Sequence, residues 1–409
     1  MLKTLSLALA AALPVAAHAT PLTFYAALDR ARHEAPSLKA RTLALDAARS
    51  ARGAAGALPD PKLAVGIDSF PVSGPLAFEP GRDNFTWARV GVSQDIPNLA
   101  KRHAEQARAD SDITVAGSEQ AVESRKVEVA TAIAWINLAF AERRLATIDE
   151  ILGRLDKVVR GARQSVTSGA ARPGQTVAAQ EAIARLEDRR SDLISAVARA
   201  KADLVRWTGD PDPEASGVVP DFVVDPSALK SALDGHPTIQ MADARERQAD
   251  ADLGVAKSGR RSDFGVDVSY QRRDPRFGDY VSAGVTIGLP IFTRRRQNAE
   301  IASKQSEASR SQAEREDARR ALADALSSDL ADHVMHHEQW MRARNTLLPL
   351  AEQRVELETA SYAAGRASLA DVADAHAALA DATLTALDRE ALVAADGARL
   401  VLTYRSDAQ

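Results

Sequence analysis

The sequence predicts a mainly α-helical chain with a small β part, built from two tandem repeats of long helical hairpins. Three observations predict this fold: long Ala-rich charged stretches, two segments in which apolar and polar residues alternate, and one order of elements that occurs twice. Apolar residues make up 45% of the chain but aromatic residues only 4%. That composition suits slender helix packing better than a thick globular core.

The amino terminus has the pattern of a secretory signal peptide. Lys3 precedes an apolar run that ends in Ala17-His18-Ala19, so we expect residues 1–19 to be removed and the mature chain to begin at Thr20. The chain has no cysteine, which excludes disulfides and thiolate sites. Its formal net charge of -4 gives no electrostatic reason to expect nucleic acid as a partner. The sequence therefore indicates an exported protein.

Each repeat is predicted to contain a helix, a strand hairpin, a long helix, a glycine break and a last helix. The first repeat, 20–210, places these at 22–57, 62–96, 101–168, Gly169 and 174–208. The second repeat, 226–405, places them at 226–258, 264–290, 294–363, Gly365 and a helix that ends near 404. A helix of about 70 residues is about 100 Å long, which no compact domain needs. We therefore expect the helices to pair as a coiled coil.

The two strand hairpins each have one apolar face. Phe264, Val266, Val268 and Tyr270 alternate with small or polar residues, as do Leu63, Val65 and Ile67 in the first hairpin. Half of the aromatic residues of the chain lie in 62–96 and 264–292. Tilted strands of about 10 residues can cross a bilayer, and aromatic girdles mark outer-membrane barrels. Aromatic residues are also good strand formers, so a soluble two-hairpin sheet remains the alternative.

Four strands are too few to close a barrel in a membrane. An open sheet edge in lipid leaves unpaired backbone groups that cost several kcal/mol each. Several copies would have to pool their strands, and three copies would give twelve.

These features resemble the TolC-type outer-membrane efflux factors, the exit ducts of tripartite export pumps. The resemblance covers the mature chain through the tandem repeat, the strand-to-helix junctions 94–102 and 288–296, and the tip segment 362–375. It implies a homotrimer with a 12-stranded barrel of transmembrane strands and a periplasmic α-barrel. It also implies a periplasmic adaptor protein, an inner-membrane RND-type transporter and outer-membrane lipid as partners, with adaptor docking at tips near Gly169 and Gly365.

The resemblance also assigns the channel aperture. Asp371 and Asp374, spaced i,i+3 on one helix face, match the carboxylates that constrict the family's closed state and favour cations. Carboxylates in a first helical turn also favour the helix dipole, which is the structural alternative. The family's latch corresponds to Tyr362, Arg366 and Gln175, where Arg366 is displaced by one position and Gln175 replaces a carboxylate.

Three histidines are the other candidates. His333, His336 and His337 lie on a predicted helix, where i,i+4 spacing can place His333 and His337 at one metal ion. The alternative is a solvated or interhelical polar patch. The sequence contains neither a Gly-x-Ser-x-Gly nor a His-Glu-x-x-His motif and no phosphate-binding loop, so we expect neither enzymatic activity nor a cofactor.

The predicted function is a passive outer-membrane duct for substrate that a pump and its adaptor deliver. Segments 58–84 and 91–98 resemble the heavy-metal branch of the family, which serves cobalt-zinc-cadmium and copper-silver pumps. Efflux of drugs or small organic molecules, or type I secretion, through the same fold is the alternative. A soluble periplasmic coiled-coil scaffold is the alternative from another class.

Overall fold

A computed structural model describes residues 20–167 and 173–405 of the chain. The predicted signal peptide, 1–19, and Gly169 lie outside the described residues, as does the side chain of Gln175. The described residues form two compact units. The sheet unit comprises 40–122 and 234–322, and the helical unit comprises the rest.

Helices dominate the described part of the chain. In chain order they are α1 (Phe24–Glu34), α2 (Pro36–Ala54), α3 (Leu99–Thr167), α4 (Pro173–Thr208), α5 (Pro226–Ala232), α6 (Pro237–Ser258), α7 (Gln297–Arg342), α8 (Leu348–Ala363) and α9 (Leu369–Tyr404). The strands are β1 (Thr20–Leu22), β2 (Lys62–Asp68), β3 (Trp87–Ile96), β4 (Pro213–Ala215), β5 (Phe264–Arg272) and β6 (Tyr280–Ile287). The predicted combination of long helical hairpins with a four-stranded β part is confirmed. No described helix is both long and apolar enough to cross a membrane.

The sheet unit contains both hairpins in one antiparallel sheet of order β2-β3-β5-β6. The register pairs Val65 with Val90, Val92 with Val268 and Val266 with Val285. Because side chains alternate along a strand, this register puts the apolar residues of all four strands on one face. The opposite face carries Asp68, Ser93, Asp267, Ser282 and other small or polar residues.

The helical unit has its core around Trp135 and Phe140 of α3, which are fully buried. Trp135 Nε1 donates a hydrogen bond of 2.7 Å to the carbonyl of Leu22. The sequence did not indicate the small parallel sheet that β1 forms with β4. A second apolar cluster joins α3, α4 and α9 through Leu155, Leu186 and Leu369. This cluster supports the turn between α8 and α9.

The helix predicted at 22–57 is wrong in one respect, because it is two helices. Ala35 has extended backbone angles, φ -61° and ψ 116°, and α2 begins at Pro36. The second repeat has the same break, where extended His236 precedes Pro237 at the start of α6. A residue before proline is pushed out of the helical region by the proline ring, so both helices must restart there.

The helix predicted at 294–363 is also interrupted. Residues Ala343–Leu347 form a turn of π-helix between α7 and α8, in which the Leu348 N–H donates to the carbonyl of Ala343. Pro349, just inside α8, has no N–H to donate, and the wider π turn accommodates its ring. The apolar periodicity on either side does not reveal this interruption.

Candidate functional site

The turn between α8 and α9 is a left-handed reversal centred on a glycine. Gly365 has φ 72°, and its N–H donates to the Tyr362 carbonyl at 2.9 Å. The Arg366 N–H donates to the Ser361 carbonyl at 2.8 Å. Glycine adopts positive φ without the steric cost that a Cβ adds, which explains the residue type here. The helix break predicted at Gly365 is confirmed, whereas its role in docking remains a prediction.

Asp371 completes a capping box at the start of α9. Ser368 Oγ accepts from the Asp371 N–H at 3.2 Å, and Asp371 Oδ2 accepts from the Ser368 N–H at 2.8 Å and from Ser368 Oγ at 2.7 Å. The backbone hydrogen bond from Ser368, followed by that from its hydroxyl, lowers the pKa of Asp371. This carboxylate is therefore ionised at neutral pH and stabilises the helix start. The alternative in which a first-turn carboxylate stabilises its own helix therefore corresponds to an observed contact of Asp371.

Asp371 and Asp374 nevertheless share the exposed face of α9. Both residues are exposed, whereas Val372, Ala373 and Ala375 between and beside them are buried. The i,i+3 spacing thus produces the predicted arrangement of two carboxylates on one side of the helix.

The structure describes the predicted latch only in part. Tyr362 is partly buried and packs against the cluster that joins α3, α4 and α9. Arg366 is exposed on the turn. Since the side chain of Gln175 lies outside the described residues, the latch remains a prediction.

The three histidines do not converge on a common point. His336 Nδ1 lies 2.6 Å from Asp396 Oδ2 of α9, both side chains being largely shielded. The His333 and His337 rings are 6.5 Å apart, and burial lowers the pKa of His333. Among the described residues no group of three or more His, Cys, Asp or Glu is placed to hold a metal ion. His336 therefore forms the interhelical polar contact that was the alternative to metal binding.

The apolar face of the sheet is exposed along all four strands. Its exposed large side chains are Leu63, Val65, Ile67, Val90, Val92, Phe264, Val266, Val268, Tyr270, Val281, Val285 and Ile287. A monomeric soluble protein rarely exposes so large a contiguous apolar patch. A surface of this kind, alternating with a polar face, is typical of strands whose outer side contacts lipid.

Sequence reasoning missed two residues at these sites. Ser368 was recoverable, because Ser-x-x-Asp before an apolar run is a capping signal. His376 lies two residues after Asp374 and is only 7% exposed. No sequence pattern separated it from an exposed histidine, because its burial depends on the tertiary packing of α9.

Solved structures of outer-membrane channels share this fold. The protein is similar to CusC, with a TM-score of 0.80 and 16% identity over 94% of this chain and 92% of that one. It is also similar to the open state of MtrE from Neisseria gonorrhoeae, with a TM-score of 0.77 and 16% identity over 94% and 90% of the chains. Among sequence relatives, the cobalt-zinc-cadmium resistance protein CzcC of Cupriavidus metallidurans is 27% identical over 380 residues, which cover 90% of this chain and 86% of CzcC.

Fold and site together define a channel protein whose sheet lies in a membrane. The chain belongs to the outer membrane efflux protein family, whose model matches residues 27–210 and 228–403. It is an outer-membrane efflux channel with a long periplasmic helical part, and its function is conduction rather than catalysis. The soluble scaffold considered above is therefore wrong. Channels of this family are trimers that act with adaptors and inner-membrane transporters.

Proposed function

We propose that this channel is the exit duct for heavy-metal cations in a tripartite pump. The observation that carries the proposal is the similarity to the cobalt-zinc-cadmium resistance protein along 90% of this chain. The exposed pair Asp371 and Asp374 supports it, because carboxylates near a constriction attract cations.

The proposed assembly is a homotrimer of mature chains that begin at Thr20. Within the described residues, β2 and β6 each pair on one side only, so the sheet has two open edges. Such edges are costly in lipid, and three sheets joined edge to edge give a closed barrel of twelve strands. Twelve lies within the range of even strand numbers that outer-membrane barrels use.

The proposed aperture consists of Asp371 and Asp374 from each copy, six carboxylates in all. Tyr362 and Arg366 would close it by contacts to Gln175 of the first repeat. Because Gln175 has no charge, this latch would be weaker than one that includes a carboxylate. The resting aperture would then open more easily than in a channel with a charged latch.

The proposed partners are a periplasmic adaptor and an inner-membrane transporter of the RND type. The adaptor would contact the tips near Gly169 and Gly365, one in each of the proposed repeats, 20–210 and 226–405. Replacing both glycines with Val should abolish export while the yield of trimer is kept. Unchanged export in the double variant would show that export does not depend on the tips.

The experiment that tests the substrate is deletion of the gene followed by growth on graded metal salts. We expect sensitivity to Zn, Co, Cd or Cu salts to rise, and a plasmid copy of the gene to restore growth. Dyes and antibiotics tested in parallel should have unchanged effects. Sensitivity that rises only for the organic compounds would contradict the heavy-metal assignment and indicate efflux of small organic molecules.

A further inference from the structure

The segment between β6 and α7 combines exposed apolar side chains with a run of arginines. We call residues 289–296 the junction segment. Leu289, Ile291 and Phe292 are 70%, 71% and 74% exposed, which is unusual for three large apolar residues in one short segment. Arg294, Arg295 and Arg296 follow after Thr293 and are also exposed.

Hydrogen bonds fix the junction segment at both ends. The Gly288 N–H donates to the Asp263 carbonyl at 2.8 Å, immediately before the segment. The Asn298 N–H donates to the Thr293 carbonyl at 2.8 Å, and Asn298 Oδ1 accepts from the Arg260 guanidinium at 2.6 Å. The exposure of these side chains therefore belongs to a defined series of turns.

The three guanidinium groups have no counterpart in the described part of the chain. No salt bridge or side-chain hydrogen bond of Arg294, Arg295 or Arg296 is formed with any described residue. The basic residues at the matching junction of the first repeat differ. Lys101 Nζ lies 3.8 Å from Asp263 Oδ2, and Arg102 Nε donates to the Gly56 carbonyl at 2.7 Å. Of the two junctions, the second thus has three positive charges without a partner among the described residues. These charges are available to a partner outside the chain.

The position of the segment indicates which partner this is. It begins two residues after β6, whose apolar side chains Val281, Val285 and Ile287 face lipid in an outer-membrane channel. Leu289 continues that alternation beyond the end of the strand. The segment thus lies where the chain leaves the hydrocarbon layer, at the level of the lipid headgroups.

We propose that the junction segment binds anionic phospholipid of the periplasmic leaflet. Leu289, Ile291 and Phe292 would enter the acyl boundary, while the three guanidiniums bind headgroup phosphates, which they can contact through paired N–H donors. A basic residue near an anionic membrane surface favours binding about fivefold. This proposal goes beyond the efflux function and does not depend on the metal substrate.

The test compares the full-length protein in nanodiscs of phosphatidylcholine alone and with increasing fractions of phosphatidylglycerol. Bound lipid is counted by native mass spectrometry, and the thermal midpoint is followed at each composition. The variant carries Arg294→Gln, Arg295→Gln and Arg296→Gln. The control carries Arg185→Gln, Arg189→Gln and Arg247→Gln, which remove three exposed arginines from α4 and α6.

We expect phosphatidylglycerol to be retained by the wild type and by the control and to raise their thermal midpoints. The junction variant should lose this preference by about fivefold or more, with an unchanged midpoint in phosphatidylcholine. Arg→Lys at the same three positions should keep the preference, because the positive charge remains. If the glutamine variant does not fold, a change of Ile291 and Phe292 to Ala should lower the midpoint in both lipids.

Three outcomes would overturn the proposal. One is an unchanged phosphatidylglycerol preference in the glutamine variant. A second is displacement of the lipid effect by inorganic phosphate at ordinary buffer concentrations, which would indicate a site for free anions. The third is loss of the oligomer without a change in lipid preference, which would make the segment a contact between copies of the chain.

Discussion

Asn98 is held by Asp263 through two hydrogen bonds to a single carboxylate oxygen. The backbone N–H of Asn98 and its Nδ2 each donate to Asp263 Oδ1 at 2.8 Å, and Asn98 is only 7% exposed. Asn98 Oδ1 in turn accepts from the Lys101 N–H at 2.9 Å and so caps the start of α3. The strand-to-helix junction of the first repeat is thereby tied to the helix-to-strand junction of the second.

Replacing Asn98 with Ala should destabilise the sheet unit. The change removes the cap of α3 and takes one donor from the partly exposed Asp263 carboxylate, which together should cost about 1 to 2 kcal/mol. The thermal midpoint of the purified channel in detergent measures it. Asn345→Ala, on the exposed π turn, is the matched control and should change stability by less than about 0.5 kcal/mol. Equal midpoints for the two variants would show that the contact is dispensable.

Charge at the tip should set the ion selectivity of the channel. In planar bilayers, Asp371→Asn combined with Asp374→Asn should lower the preference for cations and weaken block by multivalent cations, since the proposed ring loses its charge. A reversal potential and a cation block equal to those of the wild type would place the constriction elsewhere.

Ser368→Ala separates the charge at Asp371 from its capping role. This variant loses the hydroxyl that accepts from the Asp371 N–H, so α9 should be destabilised by about 1 kcal/mol. Both carboxylates remain, and the reversal potential should therefore be unchanged. A selectivity change as large as that of the double Asn variant would mean that helix geometry, and not charge, controls the aperture.

The tip should lose stability as the pH falls, because of His376. Burial, and secondarily the positive charge of Arg154, lower the pKa of His376 below its ordinary value of 6.5. Below pH 6.5 the His376 side chain binds a proton in the unfolded chain, whereas in the folded tip it stays neutral until the pH reaches its lower folded pKa. The free energy of unfolding therefore decreases as the pH falls through this interval. Hydrogen exchange of α9 between about pH 7 and about pH 5 should show this.

His376→Gln should flatten that pH dependence. His33→Gln, which removes a histidine whose side chain is 75% exposed, should leave it as in the wild type. An equally steep pH profile in the His376→Gln variant would assign the effect to other groups.

Gly365 should resist substitution for a conformational reason. No atom lies within 4 Å of the position that a Cβ would take, so the cost of Gly365→Ala comes from φ 72° alone and should be about 1 to 2 kcal/mol. Gly365→Asn should cost less, because Asn tolerates this region. Gly153→Ala, in the interior of α3 with equally open space, should be neutral or stabilising. Chemical denaturation of the three variants measures the difference.

The sequence predicted those parts of the fold that follow from periodicity. Alternation identified the strands around Val65 and Val268, and the helix break at Gly365 was expected from a glycine between two helical patterns. The breaks at Pro36 and Pro237 were missed because the apolar pattern continues across each proline, although proline is itself a local signal for such a break. The π turn before Pro349 was missed for the same reason.

The candidate site was predictable to the extent that it is local. The shared face of Asp371 and Asp374 follows from their spacing, and the Ser368 cap has a local sequence signal. The contact of His336 has no local sequence signal, because its partner Asp396 lies 60 residues away along the chain. The shielding of His376 and the contact of Asn98 with Asp263 are likewise set by tertiary packing.

Several copies of this chain should together complete one outer-membrane channel. The most direct measurement is the native mass of detergent-purified protein, taken from the same preparation that is inserted into planar bilayers. The species that conducts should have the mass of three mature chains. A monomeric species that conducts would contradict it.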